Sequence, residues 1–267
     1  MPSAITPLVT PAAYWEERAR RFASRRQGLA AVCSYGMPPL YNIAIDLCQR
    51  RALAPWLTAA SSAAALDVGC GVGRWSVRLA ARGMDVTGVD LSPFMVERAI
   101  ERAKKRGLAC NFIRDDLNCL QLNKRFGLIL SVTVLQHIVE PELAARAIAT
   151  LSRHLAANGE LVLLEAAPSS DTRRCDSAIF RARTLAWYEN ALARAGLRVC
   201  AVRGVDPVPL KTAMLPYYKR MIAPLAALMS GATAAVSLPL DLALAPYLPA
   251  CSWHKVIVAR PMSASGP

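Results

Sequence analysis

The sequence is poor in the residues that build metal sites and disulfide frameworks. Only three histidines occur among 267 residues, and the eight cysteines are scattered without a C-x-x-C pair. Zinc sites need clustered ligands and disulfide frameworks need spaced cysteine pairs, so we expect neither. Unpaired thiols are typical of a reducing compartment. The segment from Met1 to Pro11 has no basic start of the kind that opens a signal peptide, and we therefore expect a cytoplasmic location.

Acidic residues are also scarce, with 19 Asp and Glu against 32 Lys and Arg and a net charge of +13. Such a charge favours anionic partners, including nucleic acid, acidic lipid headgroups and phosphorylated substrates. No block of like charge is longer than three residues, and aromatic residues make up only 6%. A basic stripe interleaved with aromatic residues, which is typical of RNA-binding modules, is therefore missing. A solvated basic surface is the simpler interpretation, and nucleic acid is not the expected partner.

Apolar residues are abundant at 54%, which suffices for a large core. From residue 64 onward, strand-like segments alternate with helix-like segments, which predicts an α/β fold with a doubly wound parallel sheet. One helix is predicted to open at Pro93 behind the N-cap Ser92, and another to open at Pro141 and end near Gly159. The predicted strands are 64–68, 85–90, 110–114, 126–132, 159–165, 197–202 and 254–259.

The strongest functional signal is the run Leu66-Asp67-Val68-Gly69-Cys70-Gly71-Val72-Gly73. An apolar strand ends in an acid, and three alternating glycines follow. Glycine permits positive φ and lets a ligand lie against bare backbone, and the N–H groups at the next helix start can face that ligand. The second predicted strand ends in Asp90, 17 residues after Gly73. An acid at that place in a nucleotide-binding α/β unit accepts hydrogen bonds from ribose hydroxyls.

These motifs resemble those of the class I S-adenosylmethionine-dependent methyltransferases. The resemblance implies a Rossmann-like seven-stranded sheet of order 3-2-1-4-5-7-6 with strand 7 antiparallel, and S-adenosyl-L-methionine as cofactor. It is specific for the superfamily but not for a substrate. The matching pieces, in the family's order within 64–165, are Leu66–Gly73, Gly88–Ser92, Arg114–Leu117, Phe126–Ser131, Val134–Ile138 and Leu155–Leu163.

The resemblance also assigns cofactor roles to single residues. The three glycines form the turn beneath the cofactor, and Asp67 holds that turn and the amino-acid end. Asp90 binds the ribose hydroxyls. Asp116, or alternatively Asp115, accepts from the adenine amino group, and the Leu117 N–H meets a ring nitrogen; a helix N-cap is the structural alternative for Asp116. The expected cofactor-binding residues are Asp67, Gly69, Cys70, Gly71, Gly73, Arg74, Asp90, Leu91, Asp115, Asp116, Leu117 and Ser131.

Catalytic residues are harder to select, because methyl transfer from a sulfonium needs little more than orientation and a base for the acceptor. His137 follows strand 4, where the family places side chains between cofactor and acceptor; a structural histidine under the cofactor is the alternative. His254, at the start of strand 7, is the second candidate. Ser131 is expected under the methionine end of the cofactor. Arg74 either reaches the cofactor carboxylate or faces solvent.

The segments around the core have their own predicted roles. Residues 1–60 are predicted to form an N-terminal helical cap, 61–206 the methyltransferase core, 207–252 an apolar insertion between strands 6 and 7, and 253–267 the final strand and tail. The cap supplies candidate pocket walls that are alternatively part of its own core. These candidates are Tyr14, Tyr35, Met37, Tyr41 and Asn42.

The insertion contains 20 residues without charge, Met221–Leu240. That length suffices to cross a bilayer, but Pro224 and Pro239 oppose a continuous spanning helix. A lid over an apolar pocket, a patch resting on lipid as a peripheral membrane contact, and additional core are the three interpretations. The oligomeric state stays open.

The combined prediction is methyl transfer to an O, N or C atom of a small, fairly hydrophobic acceptor of the secondary-metabolite type. No Asn-Pro-Pro-aromatic or Asp-Pro-Pro-aromatic segment occurs, and no Pro-Cys pair follows strand 4. Their absence argues against adenine-N6, glutamine and cytosine-C5 methylation. One alternative is a lipid, quinone or lipid-linked acceptor at a membrane surface. The other is a non-catalytic cofactor-binding scaffold that kept the fold.

Overall fold

One seven-stranded sheet forms the centre of the computed structural model, which describes residues 10–22, 28–33, 37–57, 64–170, 177–208, 210–218 and 220–262. The strands are β1 (Ala64–Val68), β2 (Asp85–Asp90), β3 (Cys110–Arg114), β4 (Phe126–Val132), β5 (Leu155–Ala166), β6 (Leu197–Gly204) and β7 (His254–Pro261). The helices are α1 (Pro11–Phe22), α2 (Leu29–Val32), α3 (Pro39–Leu53), α4 (Ser76–Ala80), α5 (Pro93–Lys105), α6 (Pro141–His154), α7 (Leu185–Arg194), α8 (Leu210–Tyr218) and α9 (Ala223–Leu244).

The strand order, β3-β2-β1-β4-β5-β7-β6, confirms the predicted topology. β1 pairs in parallel with β2 and β4, and β3 and β5 extend the parallel sheet on the two sides. β7 runs antiparallel to both β5 and β6. The carboxyl ends of β1 to β6 therefore meet at one edge of the sheet, and the first residue of β7 lies at that same edge.

The main difference from the predicted elements lies between α6 and β5. The helix predicted to continue to Gly159 ends at His154, and β5 begins at Leu155. A Cβ atom at Gly159 would lie 2.8 Å from the carbonyl oxygen of Phe126. The glycine therefore permits close approach of β4 and β5 and does not end a helix.

Both faces of the sheet are covered by helices, as parallel strands require. Neighbouring residues of β1 point to opposite faces. Leu66 belongs to a core cluster with Leu151 of α6 and Tyr188 of α7. Ala65 belongs to a second cluster, on the other face, with Leu53 of α3.

The N-terminal helix α1 is attached to the start of α5 through one carboxylate. The Ser92 hydroxyl accepts the Met95 N–H at 3.2 Å, which caps α5, and donates to Glu16 Oε2 at 2.5 Å. The Phe94 N–H donates to the same oxygen at 3.3 Å. These contacts hold α1 across the carboxyl edge of the sheet.

The insertion between β6 and β7 contains α8 and α9. Pro224 lies in the first turn of α9, where a proline is tolerated, and Pro239 lies inside the helix. Among the residues that the structure describes, α9 is the one helix long and apolar enough to span a membrane.

Candidate functional site

A cavity of about 870 Å³ opens at the carboxyl edge of the sheet. Open α/β sheets bind ligands at this edge. The β1–α4 turn and the ends of β2, β3 and β4 form one end of the cavity, and the ends of β6 and β7 form the other. Helices α1, α2 and α3, the loop after β4 and the segment around Phe180 contribute further parts of the wall.

The glycine turn after β1 has the geometry that only glycine adopts without strain. Gly69, Gly71 and Gly73 have φ values of 59°, 53° and 71°, which lie in the left-handed region. A Cβ atom at Gly69 would lie 2.4 Å from Val134 Cγ2. Gly69, Cys70 and Gly71 line the cavity, whereas Gly73 does not. Gly73 lies against Ala99 of α5, and its expected contact with the cofactor stays a prediction.

Asp90 fixes this turn to the end of β2. Its Oδ2 accepts the Gly71 N–H at 2.8 Å, and its Oδ1 accepts the Ser92 N–H at 2.9 Å. Each carboxylate oxygen keeps a second acceptor position, and Asp90 and Leu91 both line the cavity. Burial raises the pKa of Asp90.

The acidic pair after β3 lies in the same cavity wall as Leu117. Asp115 Oδ1 accepts the Asp116 N–H at 2.8 Å. Asp116 Oδ1 accepts the Asn118 N–H at 2.8 Å and its side-chain amide at 3.1 Å. Each acid thus uses one oxygen for the local turn, so both stay candidates for a ligand amino group.

Two of the expected cofactor-binding residues, Asp67 and Ser131, are not among the residues that line the cavity. Asp67 is buried and accepts the Ser76 hydroxyl at 2.5 Å, and burial raises its pKa to about 7. Ser131 is fully buried, with its hydroxyl 3.4 Å from Glu165 Oε1. Asp67 therefore holds the start of α4, and the expected roles of Asp67 and Ser131 toward the cofactor stay predictions.

Arg74 is buried at the cavity wall, which excludes the alternative of a solvent-exposed position. Its Nη1 donates to Asp46 Oδ1 at 2.5 Å and its Nη2 to Gln49 Oε1 at 2.7 Å. Arg78 binds the same Asp46 carboxylate through two nitrogens. Burial opposes ionisation of Asp46, but the two arginines outweigh it and lower the pKa of Asp46. The arginine pair thereby joins the β1–α4 turn to α3.

The candidate pocket walls of the N-terminal helices divide into two groups. Tyr14 and Tyr41 line the cavity. Met37 and Asn42 do not, because Met37 packs with Tyr41 in a separate buried cluster and the Asn42 amide donates to the Met37 carbonyl at 3.3 Å. Because that cluster also contains Tyr218 of α8, Met37 packs between the N-terminal helices and the insertion. Tyr35 lies outside the described residues.

The loop after β4 is held by a buried glutamate that the sequence analysis missed. Glu165 accepts the N–H groups of Val134 and Leu135 at 3.0 Å and that of Gln136 at 3.1 Å. Burial raises the pKa of Glu165 to about 7. The preceding Thr133 lines the cavity with a φ of 57°, an outlier for a β-branched residue. Glu165 thus fixes a strained turn against the ligand space.

His137 follows this turn and lines the cavity, but both of its ring nitrogens have partners. Nδ1 donates to the Ile179 carbonyl at 2.7 Å, and Nε2 lies 3.4 Å from the side-chain nitrogen of Gln136. The ring packs edge-on against Trp15, with centroids 4.7 Å apart. Burial lowers the pKa of His137 to about 4, so the ring is neutral near pH 7.

His254 and Asp206 form a carboxylate–imidazole pair at the other end of the cavity. Asp206 Oδ2 accepts from His254 Nδ1 at 2.7 Å, and Oδ1 accepts the His254 N–H at 2.9 Å. The Nε2 lone pair is then the proton-accepting position of the ring. Burial and the negative charge of Asp206 raise the pKa of Tyr41, which lines the same region.

Asp206 was not selected from the sequence, although a usable signal exists. An acid at the end of a predicted strand singled out Asp90, and a related signal, an acid two residues beyond β6, marks Asp206. For Glu165, the signal is a single acid at the end of an apolar strand.

Comparison with known proteins places this site in a defined fold. Residues 65–159 match a family model described as a methyltransferase domain. The ubiquinone biosynthesis O-methyltransferase of Rickettsia canadensis (strain McKiel) is 32% identical over 98 residues, which cover 37% of this chain. The chain aligns with 40% of the length of that curated relative.

Two solved structures resemble nearly the whole chain. The CcbJ methyltransferase from Streptomyces caelestis has a TM-score of 0.64 at 15% identity, covering 95% of this chain and 100% of that one. Magnesium protoporphyrin IX methyltransferase (ChlM) from Synechocystis PCC 6803, with bound SAM, has a TM-score of 0.60 at 18% identity, covering 98% and 100%. At these identities the likeness concerns the fold.

Proposed function

We propose, from a methyltransferase domain at residues 65–159 set in the class I methyltransferase fold, that the chain transfers a methyl group from S-adenosyl-L-methionine to a small, fairly hydrophobic acceptor. One observation carries the proposal. The glycine turn with Asp90 and the His254–Asp206 pair line the same cavity. A cradle for a nucleoside and a proton-accepting group therefore face one enclosed space.

The residues at the first end fit the cofactor. Bare backbone at Gly69 and Gly71, the Asp90 carboxylate and the acidic step at Asp115 and Asp116 supply close approach and acceptors for hydroxyl and amino groups. When bound, S-adenosylmethionine supplies the methyl group and a neutral leaving group. The protein's part is to orient the acceptor, exclude water and remove a proton.

We assign the base to His254. Its Nε2 accepts the proton of a hydroxyl or amine acceptor, while Asp206 accepts from Nδ1 and so fixes the tautomer and orientation of the ring. His137 is less suited, because its Nδ1 is bound to a neutral carbonyl and burial lowers its pKa to about 4. We therefore give His137 a structural part in the pocket wall.

Calorimetry and a label-transfer assay test the proposal separately. Titration of the purified chain with S-adenosylmethionine is expected to show saturable binding, and its absence would overturn the proposal. Incubation with methyl-labelled cofactor and a panel of small phenols and amines is expected to label at least one acceptor. Cofactor binding without transfer to any acceptor would favour the non-catalytic scaffold.

A quinone or other lipid acceptor is a second candidate function. It is supported by the name of the Rickettsia canadensis relative, ubiquinone biosynthesis O-methyltransferase, and by the exposed apolar side chains of α9. Long-chain and short-chain phenols that share one headgroup separate the two candidates. Preference for the long chain in the presence of vesicles would support the lipid acceptor.

We also propose the cytoplasm as the site of action. The support is that the seven cysteines among the described residues are all unpaired, as thiols in a reducing compartment are.

A further inference from the structure

Exposed apolar side chains are concentrated on one surface of the molecule. Among the described residues, fourteen large apolar side chains are exposed, and twelve of them lie on α3 or between residues 210 and 248. Water-soluble monomers rarely expose large contiguous apolar patches. The α3–α9 face is defined by Leu40 and Ile43 of α3 and by Leu225, Leu228, Val236 and Leu240 of α9.

The most deeply buried positions of α9 are polar or small, unlike those of a helix that packs on a core, although Met229 and Leu238 are half-buried against core clusters. Its buried side contains Ser230, Thr233, Ser237 and Asp241 together with small alanines. Its outer side exposes Leu228 at 69%, among other large apolar residues. A helix that packs on a protein core buries its large apolar residues. The arrangement of α9 is therefore suited to an apolar environment outside the protein.

The exposed charges of α3 and α9 are exclusively positive. The two aspartates of these helices, Asp46 and Asp241, are buried, whereas Arg50 and Arg51 of α3 are exposed. Burial and the positive charge of Arg51 lower the pKa of Arg203. An apolar face bordered by arginines is complementary to a bilayer with acidic headgroups.

We propose that the α3–α9 face docks on the surface of an anionic lipid bilayer, with α9 lying in the interface plane. A spanning position is disfavoured because the polar side of α9 is packed against the protein. A second copy of the chain is disfavoured as the occupant, because a symmetric contact would bring the same arginines together in a chain of net charge +13.

Docking would bring the cavity close to the membrane. α3 lines the cavity with Tyr41, Ile45 and Cys48, while Leu40 and Ile43 on the same helix point to the outside. One helix thus separates the lipid face from the acceptor end. The use of this proximity for a lipid acceptor rests on the proposed function, but the docking itself does not.

Vesicle sedimentation tests the docking without turnover. The full chain is mixed with vesicles of phosphatidylcholine, with or without phosphatidylglycerol, at low and high salt. We expect sedimentation with the anionic vesicles and weaker sedimentation at high salt, because salt screens the arginines. The double variant Leu228→Gln with Val236→Gln is expected to lower vesicle affinity by at least roughly tenfold.

The matched control is Ile100→Gln, which replaces a side chain 48% exposed on α5, away from this face, and should sediment like the parent. Arg50→Glu with Arg51→Glu tests the charge separately and should abolish the preference for anionic vesicles. A parent chain that fails to sediment, or a double variant that binds as well as the parent, would overturn the proposal. The proposal would also be overturned if ultracentrifugation showed a dimer that does not bind vesicles and that the same double variant dissociates. Calorimetry with S-adenosylmethionine should give parent values for all these variants, so failure of docking stays distinct from failure of the proposed function.

Discussion

The two ends of the cavity use different parts of the protein. At the β1–β2 end, a backbone turn of left-handed glycines is fixed by the Asp90 carboxylate. At the β6–β7 end, the groups that face the ligand space are side chains, with Asp206 orienting His254. Backbone shape and N–H groups suit a ligand of constant structure, whereas an oriented imidazole supplies a proton acceptor. The difference indicates that cofactor recognition and acceptor chemistry can be disrupted one at a time.

The largest effect is expected at the β6–β7 end. His254→Asn removes the proton acceptor, so turnover should fall by about 10²–10⁴-fold, with cofactor affinity unchanged. Single-turnover transfer of labelled methyl and calorimetry measure the two quantities. Asp206→Asn, which loses control of the tautomer, should also lower turnover and leave cofactor affinity unchanged. A parental rate in the His254 variant would show that the base lies elsewhere.

At the β1–β2 end, the opposite pattern is expected. Asp90→Ala removes a charged acceptor and should weaken cofactor binding by about 1.5–3 kcal/mol, as measured by calorimetry. Asp85→Ala, on the exposed first residue of the same strand, is the matched control and should bind like the parent. If the Asp90 variant binds the cofactor as tightly as the parent, the assignment of Asp90 to the ribose hydroxyls is wrong.

Two glycine variants separate backbone strain from crowding. Gly69→Ala combines a φ of 59° with a Cβ only 2.4 Å from Val134, so cofactor binding should fall together with stability. Gly83→Ala has a φ of 84° with nothing within 4 Å of its Cβ, and should lower only the free energy of unfolding, by about 1–2 kcal/mol. Equal cofactor affinity in both variants would mean that the turn tolerates displacement.

The smallest effect on turnover is expected for His137→Gln, because His137 is not the proposed base. A loss as large as that of the His254 variant would reverse the assignment.

The same variant should change the pH dependence of the free energy of unfolding more clearly than it changes turnover. Burial lowers the pKa of His137 from 6.5 to about 4, so its contribution is present above pH 6.5 and is lost as the pH falls to about 4. Relative to the variant, the parent should lose up to about 3 kcal/mol over that range, as urea unfolding at several pH values would show.

Local patterns explain what could be predicted from the sequence. The carboxyl ends of β1, β2 and β3 are marked by a glycine or an acid at or directly after the last strand residue, and β4 is an apolar run. The glycine turn and Asp90 lie within 22 residues of one another. The sheet order needed the family resemblance, because no local signal places β7 between β5 and β6. The end of α6 was missed because Gly159 responds to a contact with β4, which is a tertiary effect.

Long-range pairs explain what could not be predicted. Asp206 and His254 are 48 positions apart, and Arg74 meets Asp46 across 28 positions. No periodic sequence pattern predicts a contact between residues at such separations. The burial of Arg74 depends on the packing of α3 against the glycine turn. The hydrogen bond of His137 Nδ1 depends on the position of the loop that contains Ile179. These contacts arise only when the sheet brings distant segments to one edge.

The Asp206–His254 pair also has a consequence for how this architecture can diversify. Two hydrogen bonds join Asp206, which follows β6, to His254, the first residue of β7. The long insertion between these residues therefore starts and ends at one point. An insertion whose ends are already joined can be lengthened, shortened or exchanged at a small cost in loop-closure entropy. The strands that it connects then stay in place. A change in this region can therefore alter the cavity wall without displacing the glycine turn or the Asp206–His254 pair.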